Sequence, residues 1–243
     1  QGTKESKLKS YIDKLSDNTA VQLVGTEVDM MTEAARILAA NGVKMIDINM
    51  GCPARKVVNK FSGSALMRDL SHALRIIEAV ISAVDVPVSL KCRLGWDSYS
   101  LNALELAKKA QEAGIALITI HARTRCQFFQ GKADWKAVAK IKKSVQIPIF
   151  INGDITSEES AILALKKSGA DGIMVGRGAK GRPWLLADLG SKVFGKKCDP
   201  QPRKSNFVNM VVNHYEEILS FYGKKKGIRM ARKHLVWYMD LAS

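Results

Sequence analysis

From Ala20 to about Arg177 the sequence alternates short runs rich in β-branched residues with longer stretches whose apolar residues recur every three to four positions. Few architectures accept that order. Repeated strand–helix units need right-handed crossovers and yield a parallel sheet covered by helices. Strands are expected at Ala20 to Val24, Met45 to Met50, Pro87 to Arg93, Leu117 to Ala122, Pro148 to Asn152 and Gly172 to Val175. Helices are expected at Met30 to Ala40, Leu74 to Val84, Leu101 to Ala113, Trp135 to Lys143 and Glu158 to Lys167. Asn41-Gly42, Asp85-Val86-Pro87, Gly114 and Gly169 supply stops and turns between them. Thr156 with Glu159 reads as a capping box for the helix after the fifth strand.

An open doubly wound sheet carries its glycine-rich phosphate loop after the first strand. Here the glycine-rich strand ends come late, at Asn152-Gly153-Asp154 and Gly176-Arg177-Gly178. That is where a (β/α)8 barrel builds its phosphate site, after strands seven and eight. The six runs are therefore expected to be strands three to eight of an α/β TIM barrel lacking its first two strands, with residues 1–195 as the barrel domain. The pattern changes to helices without strands from Pro183 onward, and Pro200-Gln201-Pro202 reads as a linker. Residues 203–243 are expected to form a small all-α domain whose basic face carries Lys224-Lys225-Lys226, Arg229, Arg232, Lys233 and His234.

Charge points to the class of partner. Lys and Arg number 38 against 23 Asp and Glu, a net +15, and a surface so basic draws in phosphate backbones. Nucleic acid is the expected partner, with Arg229, Arg232, Lys233 and His234 as the expected contacts. No apolar run approaches the roughly 18 residues of a membrane-spanning helix, and the first twenty residues are polar and Lys-rich without a signal core. A cytoplasmic protein without a membrane partner is expected, most simply a monomer. Cys52, Cys92, Cys126 and Cys198 are widely spaced, with no CxxC pair and no His at ligand spacing, so neither a disulfide framework nor a metal site is expected.

Strand parity gathers the chemistry. Residues two apart share a face of a strand, so Asp47 pairs with Asn49, Lys91 with Arg93, Thr119 with His121 and Arg123, and Phe150 with Asn152. Four strands thus place polar groups on one side at their C-terminal ends, which in a barrel is the active mouth. Burying a lone Lys or Arg costs several kcal/mol unless it is paired or used; a structural ion pair of Lys91 with Asp47, or a satisfied core His121, is the bland alternative for each residue alone. Cys52 lies just past a strand end, in Asn49-Met50-Gly51-Cys52-Pro53, where a thiol can reach a substrate. Cys92 is expected to face outward beneath a helix. Gly153, Gly176 and Gly178 let backbone amides approach a phosphate, and Arg177 can neutralise it.

The combination Asn-Met-Gly-Cys-Pro-Ala-x-Lys-Val, Lys-Cys-Arg-Leu-Gly, His-Ala-Arg-Thr-Arg, Asn-Gly-Asp-Ile and Gly-Arg-Gly-Ala-x-Gly-Arg-Pro-Trp resembles the tRNA-dihydrouridine synthases. Ala231-Arg232-Lys233-His234 with Trp237-Tyr238 is most similar to their bacterial B-type branch. The resemblance runs from about residue 20 to the end. It implies an FMN-containing barrel followed by a helical tRNA-binding domain, with NADPH as electron donor. Gln22, Lys91 and His121 should contact the flavin ring, Asn49 should lie beside flavin and substrate, and Asn152, Gly153, Asp154, Gly176 and Arg177 should hold the ribityl and phosphate end. Cys52 should protonate uracil C5 as general acid. Family members begin with an Ala-Pro-Met strand and a second strand, where this chain has a polar lead-in over residues 1 to about 19. Two competing readings remain: a flavin or phosphate barrel acting on a small metabolite, and a non-catalytic RNA-binding fragment.

Overall fold

The computed structural model describes residues 18–197 and 204–242. The expected lead-in before residue 18, the Pro200-Gln201-Pro202 linker and Cys198 lie outside those residues. Strand β1 (Ala20–Leu23) is followed by α1 (Val28–Ala40), β2 (Met45–Met50), α2 (Arg55–Val58), a 3₁₀ turn (Gly63–Arg68), α3 (Leu70–Ser82) and β3 (Val88–Arg93). Then come α4 (Ala103–Glu112), β4 (Leu117–His121), α5 (Trp135–Lys142), β5 (Ile149–Asn152), α6 (Glu158–Ser168) and β6 (Gly172–Met174). A second 3₁₀ turn (Arg177–Ala179), α7 (Leu185–Phe194), α8 (Lys204–Tyr222) and α9 (Lys224–Ala242) complete the order.

Each expected strand is present to within a residue at either end. Pro87 and Pro148 stand just outside β3 and β5 because proline has no N–H for the ladder. Their carbonyls still take part, accepting from Ile46 N and Ile118 N at 3.1 Å each. The six strands lie in one sheet in chain order, and β1 to β4 pair in parallel. Register sets rows of side chains across the sheet: Gln22 opposite Asp47 and Asp47 opposite Ser89, then Asn49 opposite Lys91 and Lys91 opposite Thr119, then Arg93 opposite His121. Consecutive parallel strands with a helix between each pair form the wall of a (β/α) barrel, here of six strands among the described residues.

The alternate apolar residues Ile46, Ile48, Met50, Leu90, Cys92, Ile118 and Ile120 are buried. The helices supply matching stripes at the spacing of one face: Met31, Ala35 and Leu38 on α1, Ala73, Ile76, Ile77 and Val80 on α3, Leu106, Ala107 and Ala110 on α4. Full burial of each large aliphatic side chain stabilises by about 1.5–3 kcal/mol.

Helix starts follow local chemistry. Asp69 caps α3 by accepting from His72 N at 2.9 Å, and Asp134 caps α5 by accepting from Ala137 N at 3.1 Å. The capping box of α6 is displaced by one residue from the Thr156–Glu159 frame. Ser157 Oγ accepts from Ser160 N at 3.3 Å while Ser160 Oγ accepts from Ser157 N at 2.9 Å. Two overlapping frames compete in Thr-Ser-Glu-Glu-Ser, and the shorter serine at the third helical position closes the reciprocal pair.

The described residues divide into two compact units. One runs to Ile151 and takes in Lys167–Gly172; the other comprises Asn152–Lys166 and continues from Ile173. In the second, α8 and α9 pack as a helical pair whose close approach needs Gly227: a Cβ there would stand 2.9 Å from Leu219 Cα. Among the described residues no helix is long and apolar enough to cross a membrane, and no cluster of His, Cys, Asp or Glu could hold a metal ion.

Candidate active site

In the first unit the C-terminal end of β2 is organised by Asn49. Its Nδ2 donates to Gln22 Oε1 at 2.6 Å, and its Oδ1 accepts from the backbone N–H groups of Gly51 and Cys52 at 3.0 and 2.9 Å. An Asn that accepts from the chain two and three residues on folds the loop back over its own side chain. Gln22 in turn donates Nε2 to Asp47 Oδ2 at 2.6 Å, and Ser89 Oγ donates to Asp47 Oδ1 at 2.6 Å. The buried Asp47 carboxylate is thus satisfied by neutral donors on both flanking strands, as a buried charge requires.

Cys52 is pinned from its other side as well. Its carbonyl accepts from Ser64 N at 3.1 Å and from Ser64 Oγ at 2.8 Å. Gly63, next to Ser64, has φ 62°, and a Cβ there would lie 2.9 Å from the Cys52 oxygen. The Cys52 side chain is half-buried. Burial lowers the Lys91 ammonium from its ordinary value, Arg93 acts the same way, and Cys92, Asp47 and Cys52 oppose them. Cys92 is fully buried, as strand parity predicted, and burial pushes its thiol up to about 12. It is an inert core residue, whereas Cys126 is exposed.

Arg93 and Arg123 share the expected faces but serve as latches. Arg93 Nε donates to Gly51 O at 2.8 Å, and one terminal nitrogen donates to Thr124 O and Phe128 O at 2.9 Å each. Burial, then the neighbouring Arg123, brings its pKa down to about 10. Arg123 donates Nε to Gln130 O at 3.1 Å and a terminal nitrogen to Gly131 O at 2.8 Å. Its other terminal nitrogen lies 3.3 Å from His121 Nε2; a guanidinium only donates, so Nε2 is the acceptor there. His121 also packs against Phe129, with ring centroids 6.1 Å apart. Ser64, Ser89 and the two latching arginines are site-shaping residues that sequence reasoning did not assign. Strand parity signalled the arginines, and the same parity carried two residues back from Lys91 would have reached Ser89, but nothing signalled Ser64.

The late glycines belong to the second unit. Asn152 Nδ2 donates to Met174 O at 2.8 Å, Gly153 and Asp154 take φ of 116° and 55°, and Arg177 lies 3.8 Å from Asp154 Oδ1. The space beside Gly176 is open, with Asn152 Nδ2 4.0 Å from where a Cβ would stand. Gly178 has a different reason: a Cβ there would come 2.4 Å from the carbonyl oxygen of Ile155. It is required by chain-to-chain contact.

Of the expected RNA contacts on α9, Arg229 joins Tyr222, Lys224, Lys225, Lys226 and Met230 around an open cavity of about 740 Å³. Arg232 and Lys233 are exposed. His234 is half-buried and packs edge-on against His214 and Trp237, each with centroids 5.0 Å away. Burial, then His214 and Lys233, holds its pKa below the ordinary value.

The sequence profile of the dihydrouridine synthase family matches residues 1–243. A protein of Rhodobacter capsulatus named probable tRNA-dihydrouridine synthase is 55% identical over 225 residues, spanning 93% of this chain and 69% of that protein. The tRNA-dihydrouridine synthase B of Xanthomonas axonopodis pv. citri is 45% identical over 222 residues, spanning 91% and 67%. Among solved structures, N-acetylneuraminate lyase from Mycoplasma synoviae superimposes with TM-score 0.54 at 17% identity, covering 73% of this chain and 59% of that one. An old yellow enzyme homologue from Zymomonas mobilis gives 0.50 at 18%, covering 74% and 54%. The chain spans less than two thirds of either structure, and these two likenesses concern the barrel fold alone.

Proposed function

The chain belongs to the dihydrouridine synthase family, and on that premise we propose that it reduces specific uridines of tRNA to 5,6-dihydrouridine, with FMN as cofactor and NADPH as electron donor. The observation that carries the reading is the knot at Asn49, which fixes the Cys52 backbone and the Gln22 amide together at the end of β2. The donor set fits a flavin. Gln22, Asn49, Lys91 and His121 offer amides, an ammonium and an imidazole for the polar edge of an isoalloxazine ring. Asn152, Gly153, Asp154, Gly176 and Arg177 offer backbone amides, open space beside Gly176 and a guanidinium for the ribityl phosphate, with the Asp154 carboxylate holding Arg177.

When bound, FMN would supply the hydride chemistry needed at uracil C6. The electron pair that develops at C5 takes a proton from the Cys52 thiol, which acts as general acid and regains its proton from solvent. Asn49 orients that thiol through its backbone, and Lys91 would offer positive charge to offset the negative charge of a reduced ring. A uracil inside a stacked duplex cannot reach a strand-end thiol, so the target base leaves its stack. Residues 1–195 form the catalytic part and 203–243 the RNA-holding part, where Arg229, Arg232, Lys233 and His234 contact the folded RNA by backbone and shape.

The test is to incubate unmodified tRNA with the chain, FMN and NADPH and to weigh the RNA. A mass gain of about two daltons per reduced uridine, two hydrogens added, is expected. A chain that holds flavin, reduces no tRNA and turns over a small carbonyl or pyrimidine substrate would instead be a metabolite oxidoreductase. Colourless protein that binds tRNA would be a binding fragment.

A further inference from the structure

Three loops of the first unit converge on one indole. Arg68 Cζ lies 4.9 Å and Arg125 Cζ 4.6 Å from the ring of Trp96, and Arg125 is also 4.7 Å from the ring of Phe128. Two guanidinium groups drawn to one ring repel each other, and among the described residues neither pairs with a carboxylate. The carboxylate nearest in sequence to Trp96, Asp97, accepts from Tyr99 N at 3.0 Å within its own loop. Arg125 Nε is buried and has no hydrogen-bond partner among the described residues. Each cation–π contact is worth about 0.5–1 kcal/mol at an exposed site, so an anion that bridges the two arginines would relieve a real conflict.

The platform is tied through hydrogen bonds to the segment that carries Cys52. Arg125 N donates to Gly95 O and Cys126 N to Trp96 O, both at 2.9 Å, which zips the loop after β4 onto the loop after β3. Phe128 has φ 51°, and its carbonyl is held by Arg93, the residue that also holds Gly51 beside Cys52. Tyr99, on the Trp96 loop, is 97% exposed, and nothing among the described residues packs over it.

We infer that Arg68, Trp96, Arg125 and Phe128 form a subsite for the RNA strand next to the target uridine, the two arginines clamping a backbone phosphate and the exposed rings of Phe128 and Tyr99 receiving an unstacked neighbouring base. The inference rests on the proposed tRNA substrate. Charge complementarity selects the occupant: a chain of net +15 meets a polyanion whose phosphates suit the planar guanidinium fork, and bases of single-stranded RNA stack on aromatic faces.

The experiment measures binding of unmodified tRNA to the FMN-loaded chain across a salt series, for wild type, Arg68→Ala, Arg125→Ala and the corresponding Arg→Lys variants. Each alanine variant should bind about five- to tenfold more weakly and lose about one unit of the slope of log affinity against log salt, and lysine should restore most of the slope. The rate at which NADPH bleaches the flavin should not change. A merely structural role would shift the melting temperature and leave the slope alone. Should an alanine variant fail to fold, Arg68→Gln and Arg125→Gln remove the charge at similar length, and the same slope decides. Unchanged slopes overturn the subsite, and so does a raised KM for NADPH with tRNA binding intact, which would assign the anion to the dinucleotide. A wild-type chain that binds no tRNA at any salt would instead bring down the substrate reading itself.

Discussion

Arg93 Nε donates to the carbonyl oxygen of Gly51 at 2.8 Å, placing a buried guanidinium directly behind the residue that precedes Cys52. The same side chain holds Thr124 and Phe128 in the loop after β4. The thiol proposed as general acid is thereby positioned from the neighbouring strand β3, by the same side chain that holds the loop after β4.

Arg93→Ala leaves three carbonyls without their donor and is expected to destabilise the fold by about 3 kcal/mol. Arg93→Lys should recover little, because an ammonium cannot serve the same fork of acceptors. Urea unfolding of both variants, read with single-turnover formation of dihydrouridine, checks this; full activity in the lysine variant would refute the latch.

Cys52→Ala is expected to lower dihydrouridine formation by about 10² to 10⁴, the usual range for a positioned general acid, while tRNA binding is retained. Asn49→Ala should lower single-turnover rate about tenfold or more through loss of the two backbone contacts that orient Cys52. Normal turnover by Cys52→Ala would remove the acid assignment and leave the family untouched.

Gly63→Ala forces a side chain into a left-handed position with its Cβ 2.9 Å from both the Cys52 oxygen and Val57 Cγ1. A cost of about 1–3 kcal/mol follows. A melting curve that does not move would show that the loop relaxes freely there.

Cys92 gives an alkaline signature. Its pKa is raised from 9.0 to about 12, so above pH 9 the folded chain keeps a proton that the unfolded chain has lost. Its contribution is complete below pH 9 and is lost as pH rises toward 12, at about 1.4 kcal/mol per pH unit within that window. Cys92→Ala should flatten this part of the stability profile. Native alkylation followed by peptide mapping should label Cys126 and spare Cys92; early labelling of Cys92 would contradict its burial.

Much of this was legible in the residues. The six strands could be found because β-branched runs and helical periodicity do not overlap, and parity alone brought Asn49, Lys91 and His121 to strand ends. What stayed hidden depends on register or on loops. That Asp47 meets Ser89 follows from which residues face each other across β2 and β3, and no local pattern encodes it. The buried cost of Arg93 and Arg123 suggested direct chemistry, yet their acceptors are carbonyls of loops whose paths the sequence does not announce. His234 read as a basic contact by its neighbours in sequence, and its packing against His214 was not legible there. The α6 cap slipped by one residue because the Thr156–Glu159 and Ser157–Ser160 frames overlap.

The Arg93 connection also limits how such a mouth can be re-engineered. A loop transplanted after β4 alone would arrive without carbonyls at the places of Thr124 and Phe128, and the vacancy would be felt at Gly51, on a segment the transplant never touched. Successful chimeras at this mouth should therefore exchange the two loops together with the arginine between them, as a single heritable cassette.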